Sequence, residues 1–268
     1  MYLRACFRDS GITQHWHPVT GGNPCDSPLV DRYLLYTEKE QTRAGVKLKR
    51  APSFQPEVYE AMASACITDA QTLTPSDPIG AFQALQDAFI LALLFHCPLR
   101  SADVLDLRQG DVSLQRPLDG GNPSLRVIAH LEKSFRAGGQ PRIITIPATG
   151  TTACPVVLFQ AVQVLATELD TLLPPCSGHL LRPVKSRTRK TPGATTQPFS
   201  YAYVQGLITR ASKAAGQPAG IKVHSFRAAA ALAALSRGDH QAQIERDFNW
   251  APGGTMFKLY TDPSRIII

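Results

Sequence analysis

Apolar positions recur at helical spacing along most of the chain, with one stretch of shorter period near the middle. Leu29, Tyr33, Leu34 and Tyr36 supply the apolar side of a helix over roughly 29–42, and Asp26 or Ser27 stands where a cap belongs. Residues 1–28 before it hold Gly21-Gly22, Pro18, Pro24 and Pro28 and read as irregular. Lys47-Leu48-Lys49-Arg50-Ala51-Pro52 is basic and proline-bounded and reads as a linker, and Thr-Pro-Ser-Asp-Pro at 74–78 makes a second break. Phe82, Leu85, Phe89, Leu93 and Leu94 then predict a strongly apolar helix over 80–97, which Pro98 ends, with another helix starting near Ser101.

The period changes over 125–132 and 141–147. The first run alternates in part and Arg142-Ile143-Ile144-Thr145-Ile146-Pro147 is β-branched, with Gly138-Gly139 between them, so a β-hairpin with a long loop is expected. Helical spacing returns over 155–173 through Val156, Leu158, Phe159, Val162, Leu165 and Leu169. Residues 174–198 are rich in Pro, Gly, Ser and Thr and carry Arg182, Lys185, Arg187, Arg189 and Lys190, which predicts a polar, mobile, basic loop. Helices follow at about 200–215, 225–237 and 240–248, with a short one near 253–260. The expected class is mainly α with a small antiparallel β-sheet (α+β), without internal repeats.

At 268 residues there is room for one large domain and a smaller neighbour, and the breaks divide the chain into 1–72 and 73–268. A net charge of +7 and a pI near 9.2 favour a polyanionic partner. The six cysteines are scattered without C-x-x-C spacing, which argues against zinc and against a disulfide framework and suits a reducing compartment. His15 and His17 flank Trp16 with no accompanying cysteine or carboxylate cluster, so no metal is expected there. No run approaches the ~18 apolar residues of a membrane span, and no signal-peptide core opens the chain. A soluble intracellular protein with no membrane partner is expected.

Four short pieces carry candidate chemistry, and each alone has a bland equivalent. In Cys97-Pro98-Leu99-Arg100-Ser101-Ala102-Asp103, an arginine sits at a helix–turn–helix junction with an acid one turn later; a capping acid beside a surface arginine reads the same way. Lys133 follows the first hairpin strand, where lysines are commonly just solvated. His224-Ser225-Phe226-Arg227 opens an alanine-rich helix, and the i, i+3 spacing puts His224 and Arg227 on one face near free N–H groups that favour a phosphate. Last come Asn249-Trp250 and, ten residues after the tryptophan, Tyr260, a spacing that core packing also produces.

Taken in order, the four pieces resemble the catalytic core of the tyrosine recombinase (phage integrase) family. That pattern is an arginine with a following acid, a hairpin lysine, His-x-x-Arg, a His or Trp, and a nucleophilic tyrosine. Arg100, Lys133, His224, Arg227, Trp250 and Tyr260 fill it over roughly 80–262, with Asp103 in support. Pro98 stands where many members have glycine, and Trp250 replaces the commoner histidine. The segment from Gly22-Asn23-Pro24 to Lys49 is similar to the region before the catalytic domain in recombinases of eukaryotic mobile elements of the Crypton or DIRS type.

The resemblance implies a partial core-binding region and linker over 1–72 and the family's catalytic domain over 73–268. It implies DNA cleavage and rejoining through a 3′-phosphotyrosine on Tyr260. Arg100 and Arg227 would clamp the phosphate, His224 accept a proton, Lys133 protonate the leaving 5′-oxygen, and Trp250 pack beneath the site. Neither metal nor any other cofactor is required, since the arginines supply the charge. Lys47, Lys49, Arg50, Arg182, Lys185, Arg187, Arg189 and Lys190 would hold the DNA backbone. The partner would be double-stranded DNA, with a homotetramer on paired sites, in the nucleus if the source is eukaryotic and otherwise in the cytoplasm. Type IB topoisomerase-like relaxation, or a DNA-binding derivative with impaired catalysis, are the alternatives.

Overall fold

The structure is a computed structural model. It describes residues 27, 29–30, 32–33, 36, 40, 52–74, 76–117, 119–130, 141–170, 178–184, 198–262 and 266–267. Contacts divide the chain into two units, Met1–Arg50 and Ala51–Ile268. In the first, the described residues from 29 to 40 are helical and the Leu29 N–H donates to Ser27 Oγ at 3.2 Å, so Ser27 is the cap.

The second unit opens with strand β1 (Ser53–Phe54) and helix α1 (Pro56–Leu73). Neither is expected from the sequence pattern. Yet Pro56 suits a first turn, and Tyr59, Met62, Ala63, Cys66 and Ala70 recur at helical spacing and are all buried. Helix α1 runs across the expected 72/73 boundary and packs along α2 (Pro78–His96). Asp77 caps α2 by accepting the Gly80 N–H at 3.1 Å, with Pro78 in the first turn, and this starts the helix two residues earlier than expected.

From Gln86 to Phe95 every residue of α2 is buried, which makes it the central helix. By length and composition it could cross a bilayer, contrary to the expectation that no segment comes close, but 67% of its most apolar window is buried inside this unit. Two polar residues enter the core with it, and both are satisfied. Gln86 donates to the Arg182 carbonyl at 2.8 Å and accepts the Arg182 N–H at 2.7 Å. Asp87 accepts from Tyr203 Oη at 2.6 Å and from Gln83 Nε2 at 3.0 Å, with Arg210 at 3.6 Å; burial still raises its pKa.

After α3 (Ser101–Leu105) come β2 (Val112–Gln115), β3 (Ser124–Ala129) and β4 (Arg142–Pro147), which form one antiparallel sheet in the order β2-β3-β4. The hairpin is the expected one; β2 is an addition. Pairing of Leu125 with Ile146 and of Val127 with Ile144 turns these residues inward, and α4 (Pro155–Glu168) packs on β3, β4 and α2. Then follow α5 (Tyr201–Ala214), α6 (Val223–Ser236), α7 (Gln241–Asp247), α8 (Thr255–Tyr260) and β5 (Ile266–Ile267). Strand β5 pairs in parallel with β1, Ser53 opposite Ile266 and Phe54 opposite Ile267. The architecture is mainly helical with a small three-stranded antiparallel sheet, the class expected. Its apolar interior has two parts: a main core around α2, and a smaller cluster of Ala230, Ala231, Ala234, Ile244, Phe248 and Trp250, against which Phe257 and Tyr260 pack.

Candidate active site

The start of α6 sorts the four residues His224 to Arg227 by burial. Ser225 is fully buried and its Oγ accepts the Lys222 N–H at 3.0 Å, fixing the first turn. Phe226 is equally buried and meets Phe54 of β1 edge-on, with ring centroids 4.9 Å apart. The inner pair thereby locks the helix, so that His224 is exposed and Arg227 half-buried one turn later.

Arg227 is the hub. Its Nη1 donates to the Pro98 carbonyl at 2.9 Å and its Nη2 to the Phe248 carbonyl, which takes up two of its five N–H groups. The guanidinium also lies over the rings of Phe248, 5.3 Å from the centroid, and Trp250, 5.7 Å away. Burial lowers its pKa to about 10, with Tyr260 and Asp103 opposing that fall and Arg100 and Arg142 adding to it. Those same interactions put Arg100, Asp103, Arg142 and Tyr260 within electrostatic reach of Arg227.

Arg100 is exposed and caps α3, its N–H donating to Asp103 Oδ2 at 3.2 Å. Asp103 therefore fixes the main chain of Arg100 at the junction whose Pro98 carbonyl holds Arg227. On the other side, α7 ends in a left-handed turn. Asn249 has φ 51°, its N–H donates to the Arg246 carbonyl at 3.1 Å, and the Trp250 N–H donates to the Glu245 carbonyl at 2.7 Å. This pair of bonds is the Schellman arrangement, and it drives Trp250 back onto Ile244 in the smaller cluster. Trp250, 9% exposed, stacks obliquely on Phe248 at 4.9 Å and on Tyr260 at 5.1 Å between centroids. Tyr260 ends α8 and is half-buried.

Arg100, Asp103, Arg227, Trp250 and Tyr260 thus share one neighbourhood, and His224 stands one helical turn before Arg227. Lys133, Lys47, Lys49, Arg50, Lys185, Arg187, Arg189 and Lys190 lie outside the described residues. Arg182 is described, with its main chain tied to Gln86 on α2. One charged residue went unrecognised in the sequence. Arg142 opens β4 on the same face as the buried Ile144 and Ile146, with its Nη2 3.4 Å from Asp247 Oδ1. The two-residue period of the strand was the signal that could have found it, since it turns an arginine inward. Two guanidiniums near a phenol are the kind of groups that can hold a phosphate diester beside a nucleophilic oxygen.

No family model matches the chain, and no curated protein does. Solved structures do match. The XerH site-specific recombinase bound to difH substrate superposes in its pre-cleavage complex with a TM-score of 0.53 and 13% identity, covering 78% of this chain and 50% of that one. Its post-cleavage complex on a palindromic difH substrate gives 0.54 and 13%, covering 81% and 52%. The XerA recombinase gives 0.52 and 16%, covering 88% and 72%. The chain spans about half the length of the XerH chains. At such identities the likeness is one of fold, and the fold is that of tyrosine recombinase catalytic domains.

Proposed function

We propose that this chain cuts and rejoins double-stranded DNA through a 3′-phosphotyrosine at Tyr260, in site-specific recombination, integration or transposition. The convergence on Arg227 carries the reading: one guanidinium, aimed by two main-chain carbonyls, lies over a buried tryptophan that stacks on the tyrosine, with a second arginine within electrostatic reach. Core packing accounts for Trp250 and Tyr260 but not for bringing Arg100 into the field of Arg227, a repulsion that Asp103 opposes less strongly than Arg100 exerts it and that a bound anion would relieve. That XerH is seen on its difH substrate supports DNA as the partner.

Arg100 and the remaining donors of Arg227 bind the non-bridging oxygens, where negative charge builds as Tyr260 Oη attacks. His224, exposed at the first turn of α6, accepts the phenolic proton. Lys133 protonates the departing 5′-oxygen, and Trp250 sets the height of the tyrosine by stacking. The ester energy stays in the phosphotyrosine, so a 5′-hydroxyl from another strand can reverse the step. Two such exchanges need paired sites, for which we propose a homotetramer, and the basic residues from Arg182 to Lys190 follow the DNA backbone. A mobile-element origin and a nuclear location rest on the segment from Gly22 to Lys49.

Incubation with supercoiled plasmid in EDTA, followed by denaturation in SDS, tests the chemistry. A covalent protein–DNA adduct is expected from the wild type and none from Tyr260→Phe, with DNA binding equal in both. An adduct that persists in Tyr260→Phe, or that requires a divalent metal, refutes the mechanism. Binding without any adduct would make the chain a DNA-binding derivative, and relaxation without strand exchange would make it topoisomerase-like.

A further inference from the structure

Arg142 has no part in the chemistry above, yet its setting is unusual. Strand alternation turns it inward, and the side chain is only 21% exposed. Its Nη2 donates to Asp247 Oδ1 at 3.4 Å, while Nη1 is buried with no hydrogen-bond partner among the described residues. Burial lowers its pKa, and Asp247 and Cys97 oppose the fall. A half-buried guanidinium with a vacant donor costs stability that a leucine or methionine at this position would not, so packing alone does not explain the residue.

Its neighbours offer a reason. Asp247 ends α7, and the next residue, Phe248, gives its carbonyl to Arg227. Arg142 also lines, with Pro98, Asp247 and Phe248, a cavity of about 370 Å³ between β4 and the helices α6 and α7. Pro98 supplies the other carbonyl that holds Arg227. Arg142 therefore lines the same cavity as both residues whose carbonyls aim Arg227, and is bonded to the chain beside one of them. Direct contact with a phosphate is the competing role, but its vacant Nη1 is buried.

We infer that Arg142 is a positioning residue: through Asp247 and the Phe248 carbonyl it holds the Arg227 guanidinium in the orientation that receives the phosphate, joining the hairpin to the Trp250–Tyr260 segment. The inference rests on the phosphotyrosine reading for its consequence in catalysis, but not for the contact chain itself.

Arg142→Met keeps the stem of the side chain and removes the charge, while Asp247→Asn is isosteric; both, and the double variant, are compared with wild type. The single-turnover rate of adduct formation at saturating DNA is expected to fall roughly tenfold or more in each, with the Kd for DNA changed less than about twofold and the double variant no worse than the singles. In parallel, [15N]arginine-labelled protein without DNA reports the Arg227 side-chain N–H resonances, assigned by their loss in Arg227→Lys. Both single variants should shift them in the same direction, and the double no further. Melting curves identify a variant that fails to fold; if Arg142→Met does so, Asp247→Asn alone decides.

Unmoved Arg227 resonances in the folded variants overturn the inference, as do rate losses that multiply in the double variant. Weakened binding with a salt slope reduced by about one makes Arg142 a phosphate contact and overturns it as well. If the wild type forms no adduct, the phosphotyrosine reading fails by itself, and the resonances still test the positioning.

Discussion

Replacing Trp250 by alanine should detach the tyrosine helix while leaving the main core folded. A tryptophan side chain presents ~200 Å² or more, nearly all of it removed from water here, which at ~25 cal/mol per Å² is worth about 5 kcal/mol. Residual burial in the unfolded chain trims this by roughly 10–40%, to about 3–4.5 kcal/mol. Loss of the cation–π contact with Arg227 adds ~0.5–2 kcal/mol, so about 4–6 kcal/mol is expected, overlapping the range of large-to-small core substitutions. That loss falls on the smaller cluster, whose aromatic members are Phe248 and Trp250, with Phe257 and Tyr260 packed against it. Helix α8 has six residues, too few to persist without tertiary support. Hydrogen exchange should therefore show amides of 241–260 losing protection by a factor of roughly a thousand or more, while amides of α2 keep theirs up to the global limit. Equal loss in α2 and α8 would refute the division of the interior into two parts. Unchanged protection in α8 would refute the part given to Trp250.

His96 makes a second prediction. It is largely buried, edge-on to Tyr59 and Phe95, and burial together with Arg237 lowers its pKa from 6.5 to about 4. Above pH 6.5 it is neutral in both states; as pH falls toward 4 the unfolded chain takes up a proton that the folded chain refuses, so stability drops over that window by up to ~3 kcal/mol. Urea denaturation across pH should show that slope in the wild type and a flatter one in His96→Phe. Gln86→Leu strands the Arg182 N–H and C=O in the interior, and unfolding free energy should fall by ~2–4 kcal/mol, whereas a loss below ~1 kcal/mol would mean that water reaches them. Asn249→Gly should be close to neutral and Asn249→Val should cost ~1–2 kcal/mol, because only the former accepts the left-handed turn; thermal melts distinguish them.

Helical periodicity is strong where one face is apolar and long, and the elements built that way are the ones that can be read. Residues 80–97, 155–173 and 200–215 appear as Pro78–His96, Pro155–Glu168 and Tyr201–Ala214, with ends set by prolines and by caps such as Asp77 and Ser200. Helix α1 escaped notice because alanines and a cysteine form much of its inner face, which weakens the contrast between its sides. Strand β2 is four residues long, and β1 and β5 are two each, too short for any period to register. Order along the chain brought out Arg100, Arg227, Trp250 and Tyr260, which do lie together. The bonds from Arg227 to two carbonyls, and the inward course of Arg142, depend on main-chain atoms more than a hundred residues apart in one case. Side-chain identity says nothing about those.

The pairing of β1 with β5 joins the first strand of the large unit to its last, across nearly the whole of that unit. Closing a loop of ~200 residues costs about 5 kcal/mol in chain entropy, more than two residue pairs return, so these strands can meet only after the intervening core has drawn the ends together. Tyr260 precedes β5 in the chain, at the end of a helix that packs on α6 and α7. During synthesis β5 leaves the ribosome well after Arg100 and Arg227 have emerged. An unfinished chain would therefore carry Arg100 and Arg227 before Tyr260 could take its place against Trp250, so the neighbourhood around Arg227 is completed late in synthesis.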